Sequence, residues 1–216
     1  MTVTISAFRW VPDFAQGYVK DIRVRWALEE AGITYDVALV DPPVAREDPY
    51  RAWQPFGQVP AYRDETVELF ESGAIVLHIA ARTATLSPVD TAGRARVTTG
   101  LIAALNTVEP HVDNYVLLDI FHANEPWVEA RRPQAEALMV ARLTSLAAWL
   151  GDREHLDGEF SAADLMMASV LRGLDHWPLE ERFASLAAYR DRCTERPAFA
   201  RALEAQLRTF RGNAPA

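Results

Sequence analysis

The chain contains one cysteine, Cys193, and one lysine, Lys20, in 216 residues. A lone thiol closes no internal disulfide, so a reducing cytoplasm is the expected home. Cations are outnumbered, 22 Lys and Arg against 30 Asp and Glu, for a net charge of −8. The deficit is shared evenly by the stretches before and after residue 85, so no basic arm stands out. Such a balance argues against nucleic acid or an anionic membrane as partner. No apolar run approaches the roughly 20 residues of a membrane span. The opening M-T-V-T-I-S-A-F-R-W lacks a basic region followed by a long apolar run, so it does not read as a signal peptide. The five histidines (78, 111, 122, 155 and 176) show neither H-E-x-x-H nor a pairing with cysteines, and no metal is expected. There is no internal repeat and no low-complexity tract.

Half of the residues are hydrophobic, enough for one large domain or two small ones with real cores. Two organisations follow one another. Val3, Ile5 and Ala7 alternate with Thr4 and Ser6 as a half-buried strand. From Asp21 to Ala31, Ile22, Val24 or the stem of Arg25, Trp26 and Leu28 form a helical surface, with Gly32 placed as C-cap. Residues 35–40, Y-D-V-A-L-V, read as a second strand. P-A-Y-R-D and T-V-E-L-F read as a hairpin through Asp64 and Glu65, and Ser72 opens an apolar helix running to Arg82. This β-α-β-(irregular)-β-β-α order predicts an α/β layout with a mixed sheet over residues 1–83.

Beyond a linker at 84–92, no strand signal occurs, and 93–216 read as all-helical. Leu101, Leu105, Val108 and Val112 keep a helical period interrupted by Pro110, where a kink is expected. Leu138, Ala141, Leu146, Trp149 and Leu150 mark a helix over 133–150. Ser161 and Asp164 form a capping box, with Phe160 and Leu165 at the staple positions, which is a folding signal and not a catalytic pair. Pro197 opens a last helix that repeats Phe199, Leu203, Leu207 and Phe210. The arginines of the C-terminal helices read as solvated faces, and His78 as a satisfied core or interface residue.

Q-P-F-G-Q-V-P, residues 54–60, is the anomalous stretch. Proline cannot donate to a strand ladder, yet Pro60 stands at the mouth of a strand, and Glu71-Ser72 opens a helix one hairpin later. Taken alone, Ser72 reads as a cap of its own helix and Glu71 as an acidic residue favouring the helix dipole. Four local stretches, R-V-R-W-A-L-E-E-A-G, P-F-G-Q-V-P, F-E-S-G-A-I and F-S-A-A-D, occur in an order and spacing that resemble the bacterial cytosolic-type glutathione transferases over essentially the whole chain.

The resemblance implies a thioredoxin-like N-domain, an all-helical C-domain and a homodimer, for which the apolar Ile75, Ile79, Leu101 and Leu105 are the expected support. It implies a cis Val59-Pro60 peptide that leaves the Val59 main chain open to the cysteinyl part of glutathione, docked like an added strand. Gln58 is a further contact. The Ser72 hydroxyl and its helix N-terminus are expected to take the γ-glutamyl carboxylate, and Glu71 the ammonium group. Trp10, Phe14, His111 and Tyr115 are expected to line a second-substrate pocket, although packing is the commoner role for residues placed like His111 and Tyr115. Family members activate the thiol with Tyr, Ser or Cys between the first strand and first helix. Residues 10–21 offer only Tyr18 as a hydroxyl, so Tyr18 is the expected donor, with Lys20 or a first-turn N–H as alternatives.

The implied activity is conjugation of glutathione, as co-substrate, to a small hydrophobic electrophile, a role in detoxification. A non-catalytic protein binding glutathione and hydrophobic ligands is the alternative. A thiol–disulfide oxidoreductase is excluded by the absence of cysteine from residues 1–192. V-K-D, where a maleylacetoacetate isomerase would carry Ser-Ser-Cys, disfavours that role.

Overall fold

The computed structural model describes residues 2–215. The chain forms two compact units, one from residues up to Ser87 together with those from Glu195 onward, the other Pro88–Thr194. The first unit contains β1 (Val3–Phe8), α1 (Asp21–Ala31), β2 (Tyr35–Val40), the short α2 (Asp48–Arg51), β3 (Ala61–Arg63), β4 (Glu68–Phe70) and α3 (Ser72–Ala80). The strands build a four-stranded mixed sheet in the order β2-β1-β3-β4. β1 runs parallel to β2, with Val3 opposite Tyr35, and antiparallel to β3, which pairs antiparallel with β4.

Period-2 alternation places Val3 and Ile5 in the core, but Ser6, expected on the open face, is also fully buried because Tyr50 of α2 covers it. α1 stops at Gly32, whose φ of 64° lets its N–H reach back to Glu29 and Leu28 without a Cβ penalty. Every residue from Asp21 to Leu28 is buried, not one stripe. The cause is double packing, since α3 lies against one side of α1 and the last helix, α10 (Pro197–Gly212), against another.

The division at residue 93 expected from the sequence therefore needs correction at the C-terminus. α10 carries a helical period like its predecessors, but its apolar face of Ala198, Phe199, Ala202 and Phe210 is buried within the first unit. Phe199 meets Trp26 edge-on at 4.8 Å between ring centroids. Arg196 forks onto both oxygens of Glu30 at 2.6 and 2.8 Å, and Arg201 donates to Glu29 at 2.8 Å. Expected on a solvated face, Arg196 and Arg201 instead tie α10 to α1. Bidentate geometry is what makes the Arg196–Glu30 pair selective for one docking position.

The second unit is helical: α4 (Thr91–Ala103), α5 (Glu109–Phe121), α6 (Val128–Leu150), α7 (Ala162–Leu171), α8 (Leu179–Arg182) and α9 (Ala184–Thr194). α4 passes into α5 with no break in helical backbone, through a π-helical segment at Ala104–Val108, and Pro110 follows directly in the first turn of α5, where the sequence places a kink. α6 begins five residues earlier than expected, and it buries Ala135, Met139, Leu143, Leu146 and Leu150 while Leu138 and Trp149 face outward. The Ser161–Asp164 capping box forms, and the buried Asp164 carboxylate also accepts from Leu156 N–H at 2.8 Å and the Tyr189 hydroxyl at 2.9 Å.

Ile75, Ile79 and Leu101, expected to support a partner interface, are fully buried within this chain. An apolar helix face reads alike in sequence whether its own fold or a second copy covers it.

Candidate glutathione site

Three segments of the first unit converge. The first is the stretch 54–60. Gln54, buried, turns its Oε1 onto the N–H groups of Phe56 at 2.7 Å and Gln58 at 3.2 Å. Gly57 takes a φ of 65°, and a Cβ there would lie 2.7 Å from the Ala45 carbonyl oxygen, so the turn admits only glycine. The Val59–Pro60 peptide is cis. A relay of hydroxyls fixes both sides of it. The Ala61 N–H donates to Ser6 Oγ at 2.7 Å, Ser6 and Tyr50 hydroxyls share a 2.7 Å bond, and Tyr50 donates to the Gln58 carbonyl at 2.6 Å. Burial raises the Tyr50 pKa, so the hydroxyl stays a donor.

Between these anchors, the main chain of Val59 makes no hydrogen bond among the described residues, while its side chain packs with Val40, Ala45 and Tyr50. Buried backbone polar groups are normally paired, so an open N–H and C=O beside a strand is a docking edge.

The second segment is the start of α3. Glu71 precedes it at φ 69°, ψ 114°, a region that costs a non-glycine residue about 1–3 kcal/mol. Its carbonyl accepts from Ile75 and so starts the helix, but its side chain caps nothing and is exposed. The N–H groups of the first turn are left without an intrahelical acceptor, as at any helix start. Ser72 Oγ accepts from Arg23 Nη1 at 3.4 Å, so the serine proton is available to another acceptor. Arg23, nearly buried in α1, adds a full positive charge to the partial charge of the helix end. The simple reading of Ser72 as cap of its own helix does not hold, because Glu71 occupies the cap position.

The third segment is the approach to α1, a short 3-10 turn at Asp13–Ala15 followed by residues 16–20. Val19 packs against the Val59 cluster, which brings this segment to the open edge. Tyr18 is 41% exposed, with its N–H bonded to the Ala15 carbonyl at 3.0 Å, and Lys20 stands exposed at the N-cap of α1.

Known proteins resemble this chain in sequence over part of its length and in fold over nearly all of it. Residues 17–81 match the family model for the glutathione S-transferase N-terminal domain. A glutathione S-transferase-like protein, OpS6, from Beauveria bassiana is 39% identical over 59 residues, a match spanning 26% of this chain and 27% of that protein. Similarity to solved structures extends over nearly the whole chain. Poplar glutathione transferase F1 superposes with a TM-score of 0.82 at 24% identity, covering 96% of this chain and 99% of that one. The glutathione transferase URE2P6 from Phanerochaete chrysosporium, solved with oxidised glutathione, gives 0.80 at 20%, covering 96% and 97%. A Burkholderia graminis glutathione transferase with two glutathione molecules per subunit gives 0.79 at 22%, covering 94% and 88%. The fold is that of the glutathione transferases, a thioredoxin-like unit and a helical one.

Within this glutathione transferase fold, Gln58, Val59, Pro60, Glu71, Ser72 and Tyr18 all lie in the first unit. Trp10, half-buried, and Phe14, 56% exposed, also belong to it. His111 and Tyr115 lie half-buried on α5 of the second unit, where Tyr115 packs on Leu118, Val128 and Ala135 and lies 5.9 Å from the Arg132 guanidinium. Among the described residues no group of three or more His, Cys, Asp or Glu is placed to hold a metal ion, and no helix is long and apolar enough to cross a membrane. His78 instead joins Arg82, Tyr62 and the Thr66 and Val67 amides around the buried Asp64 carboxylate. Burial pushes the Asp64 carboxyl up, but the hydrogen bonds from Thr66, His78 and Tyr62 outweigh it and hold it well below the usual range. The same surroundings, burial first, raise Tyr62 to about 12.

Sequence reading missed Arg23, Ser6, Tyr50 and Gln54. Arg23 was legible only as one charge in R-V-R-W, and Ser6 only as the polar half of a strand alternation.

Proposed function

We propose that this chain is a glutathione transferase. The observation that carries the reading is the unpaired main chain of Val59 lying in the same unit as a helix start that combines free N–H groups, the Ser72 hydroxyl and the Arg23 charge. A glutathione molecule has complementary parts. Its cysteinyl backbone pairs with the Val59 edge, its γ-glutamyl carboxylate takes the Ser72 end of α3, and its ammonium group meets the Glu71 carboxylate. Gln58, exposed beside Val59, supplies a further polar contact.

The thiol then stands by the segment 17–20. A free thiol with a pKa near 8.5 is only a few per cent ionised at neutral pH, and a hydrogen bond to the anion raises that fraction. Tyr18 is the proposed donor. The thiolate attacks an electrophilic carbon, the leaving group departs with its electron pair, and the thioether of glutathione is released. Trp10 and Phe14 are the proposed contacts of a small hydrophobic electrophile, and conjugation of this kind fits detoxification in the cytoplasm.

A homodimer is part of the proposal. Its support is the exposed aromatic pair of Phe56 (68% exposed) and Phe70, 5.9 Å apart, now that the isoleucines are known to be core. Sedimentation at micromolar concentration should give twice the 24.1 kDa of one chain, and a single-chain mass refutes it.

The site itself is tested by calorimetry with glutathione on the wild type, Glu71→Ala and Ser72→Ala. Each substitution removes the partner of a charged group, worth about 1–3 kcal/mol or roughly 5- to 150-fold in affinity. Unchanged affinity in both variants overturns the assignment. Glutathione consumption across a panel of aryl and alkyl electrophiles tests catalysis.

A further inference from the structure

The segment proposed to activate the thiol is held from the far end of the chain. Gln206, near the middle of α10, has no exposed surface. Its Oε1 accepts the Gly17 N–H at 3.1 Å, and its Nε2 donates to the Val19 carbonyl at 3.1 Å and to Asp21 Oδ1 at 2.6 Å. The other Asp21 oxygen takes Arg25 Nε at 2.7 Å, so the clamp continues into the first turns of α1. A flipped amide would set an NH₂ against the Gly17 N–H and an oxygen against the Val19 carbonyl and the Asp21 carboxylate. One orientation alone satisfies all three neighbours. The two backbone contacts fall on either side of Tyr18. Gly17 itself sits at a φ of 86°, so the clamp secures a turn that most residues would not hold.

From this geometry we infer that Gln206 is a positioning residue for thiol activation, fixing the backbone of residues 17–21 so that the donor at Tyr18 stands at the thiolate of bound glutathione. The inference rests on the proposed glutathione site. It concerns a different property, since the hydrogen bonds of Gln206 go to Gly17, Val19 and Asp21 and not to Val59 or the start of α3. Binding of the glutamyl and cysteinyl backbone is therefore separable from ionisation of the thiol. A misplaced donor leaves affinity nearly intact and returns the thiol toward its free pKa.

Two variants read this out. Gln206→Glu keeps the acceptor for Gly17 but sets an oxygen against Asp21, and Gln206→Leu removes all three bonds. Arg196→Ala, which loosens α10 at Glu30 and keeps Gln206, is the control. Thiolate absorbance of bound glutathione against pH gives the thiol pKa, and calorimetry gives affinity. Both Gln206 variants should bind glutathione within about threefold of wild type, with the thiol pKa raised by about one unit and kcat/KM near neutral pH about tenfold lower. Arg196→Ala should leave the thiol pKa at the wild-type value.

A wild type that binds no glutathione defeats the proposed site. A wild type that binds it and lowers its thiol pKa, while the Gln206 variants do so equally, overturns this inference alone. An equal rise in Arg196→Ala also overturns it, because α10 then acts only as general support. Where neither Gln206 variant folds, amide exchange on the wild type decides. The Gly17 N–H must exchange as slowly as the core of α1, and fast exchange overturns the clamp.

Discussion

Replacing Asp164 gives a quantitative test of how the helical unit is held. The carboxylate is fully buried and meets four donors, namely the N–H of Leu156 at 2.8 Å, the N–H and hydroxyl of Ser161 at 2.9 Å each, and the Tyr189 hydroxyl at 2.9 Å. Alanine leaves the two backbone N–H groups unpaired, and neither can rotate toward water. Each such group costs about 1–3 kcal/mol. The two hydroxyls reorient, and their loss is worth about 0.5 kcal/mol each. Asp164→Ala therefore costs about 5 kcal/mol, a large share of the 5–15 kcal/mol typical of a folded protein.

Asparagine behaves differently. Its one carbonyl oxygen retains the Leu156 N–H and the Tyr189 hydroxyl, its NH₂ is accepted by the rotatable Ser161 hydroxyl, and only the Ser161 N–H is stranded. That costs about 2 kcal/mol. Urea unfolding followed by far-UV circular dichroism separates the two. With a slope of about 3 kcal/mol/M, the midpoint should fall by about 1.7 M for alanine and about 0.7 M for asparagine. A fall below about 0.3 M for alanine, or equal falls for the two variants, refutes the reasoning.

Two further outcomes are expected. In Tyr18→Phe the thiol pKa of bound glutathione should rise by about one unit, or about 1.4 kcal/mol, with affinity little changed. No rise transfers the role to Lys20 or to a first-turn N–H. Asp64→Asn should reshape acid stability. Because the folded Asp64 pKa is depressed, its contribution is fully present above the usual value near 4 and is lost as pH falls from there through the folded value. The gap in stability between wild type and Asp64→Asn should accordingly be present at pH 7 and narrow as pH falls below about 4. A gap that widens in acid contradicts the assignment.

Features that depend on neighbours in sequence were legible without coordinates. The Ser161–Asp164 box, the Gly32 cap, the strand–helix order of residues 3–80 and the placing of Val-Pro ahead of β3 all act within a few residues, so the pattern of types carries them. The resemblance of P-F-G-Q-V-P and F-E-S-G-A-I located the candidate site for the same reason. Tertiary structure alone decided which unit claims α10, because an amphipathic helix states that a face must be covered and not by what. It also decided that Ile75, Ile79 and Leu101 are core. The supporting polar residues lay beyond local reading as well. Arg23 finds Ser72 at a separation of 49 residues, and Gln206 finds Gly17 at 189. A glutamine in a helix signals nothing by itself. Only when folding removes water from its amide do the groups left without solvent become its obligatory partners.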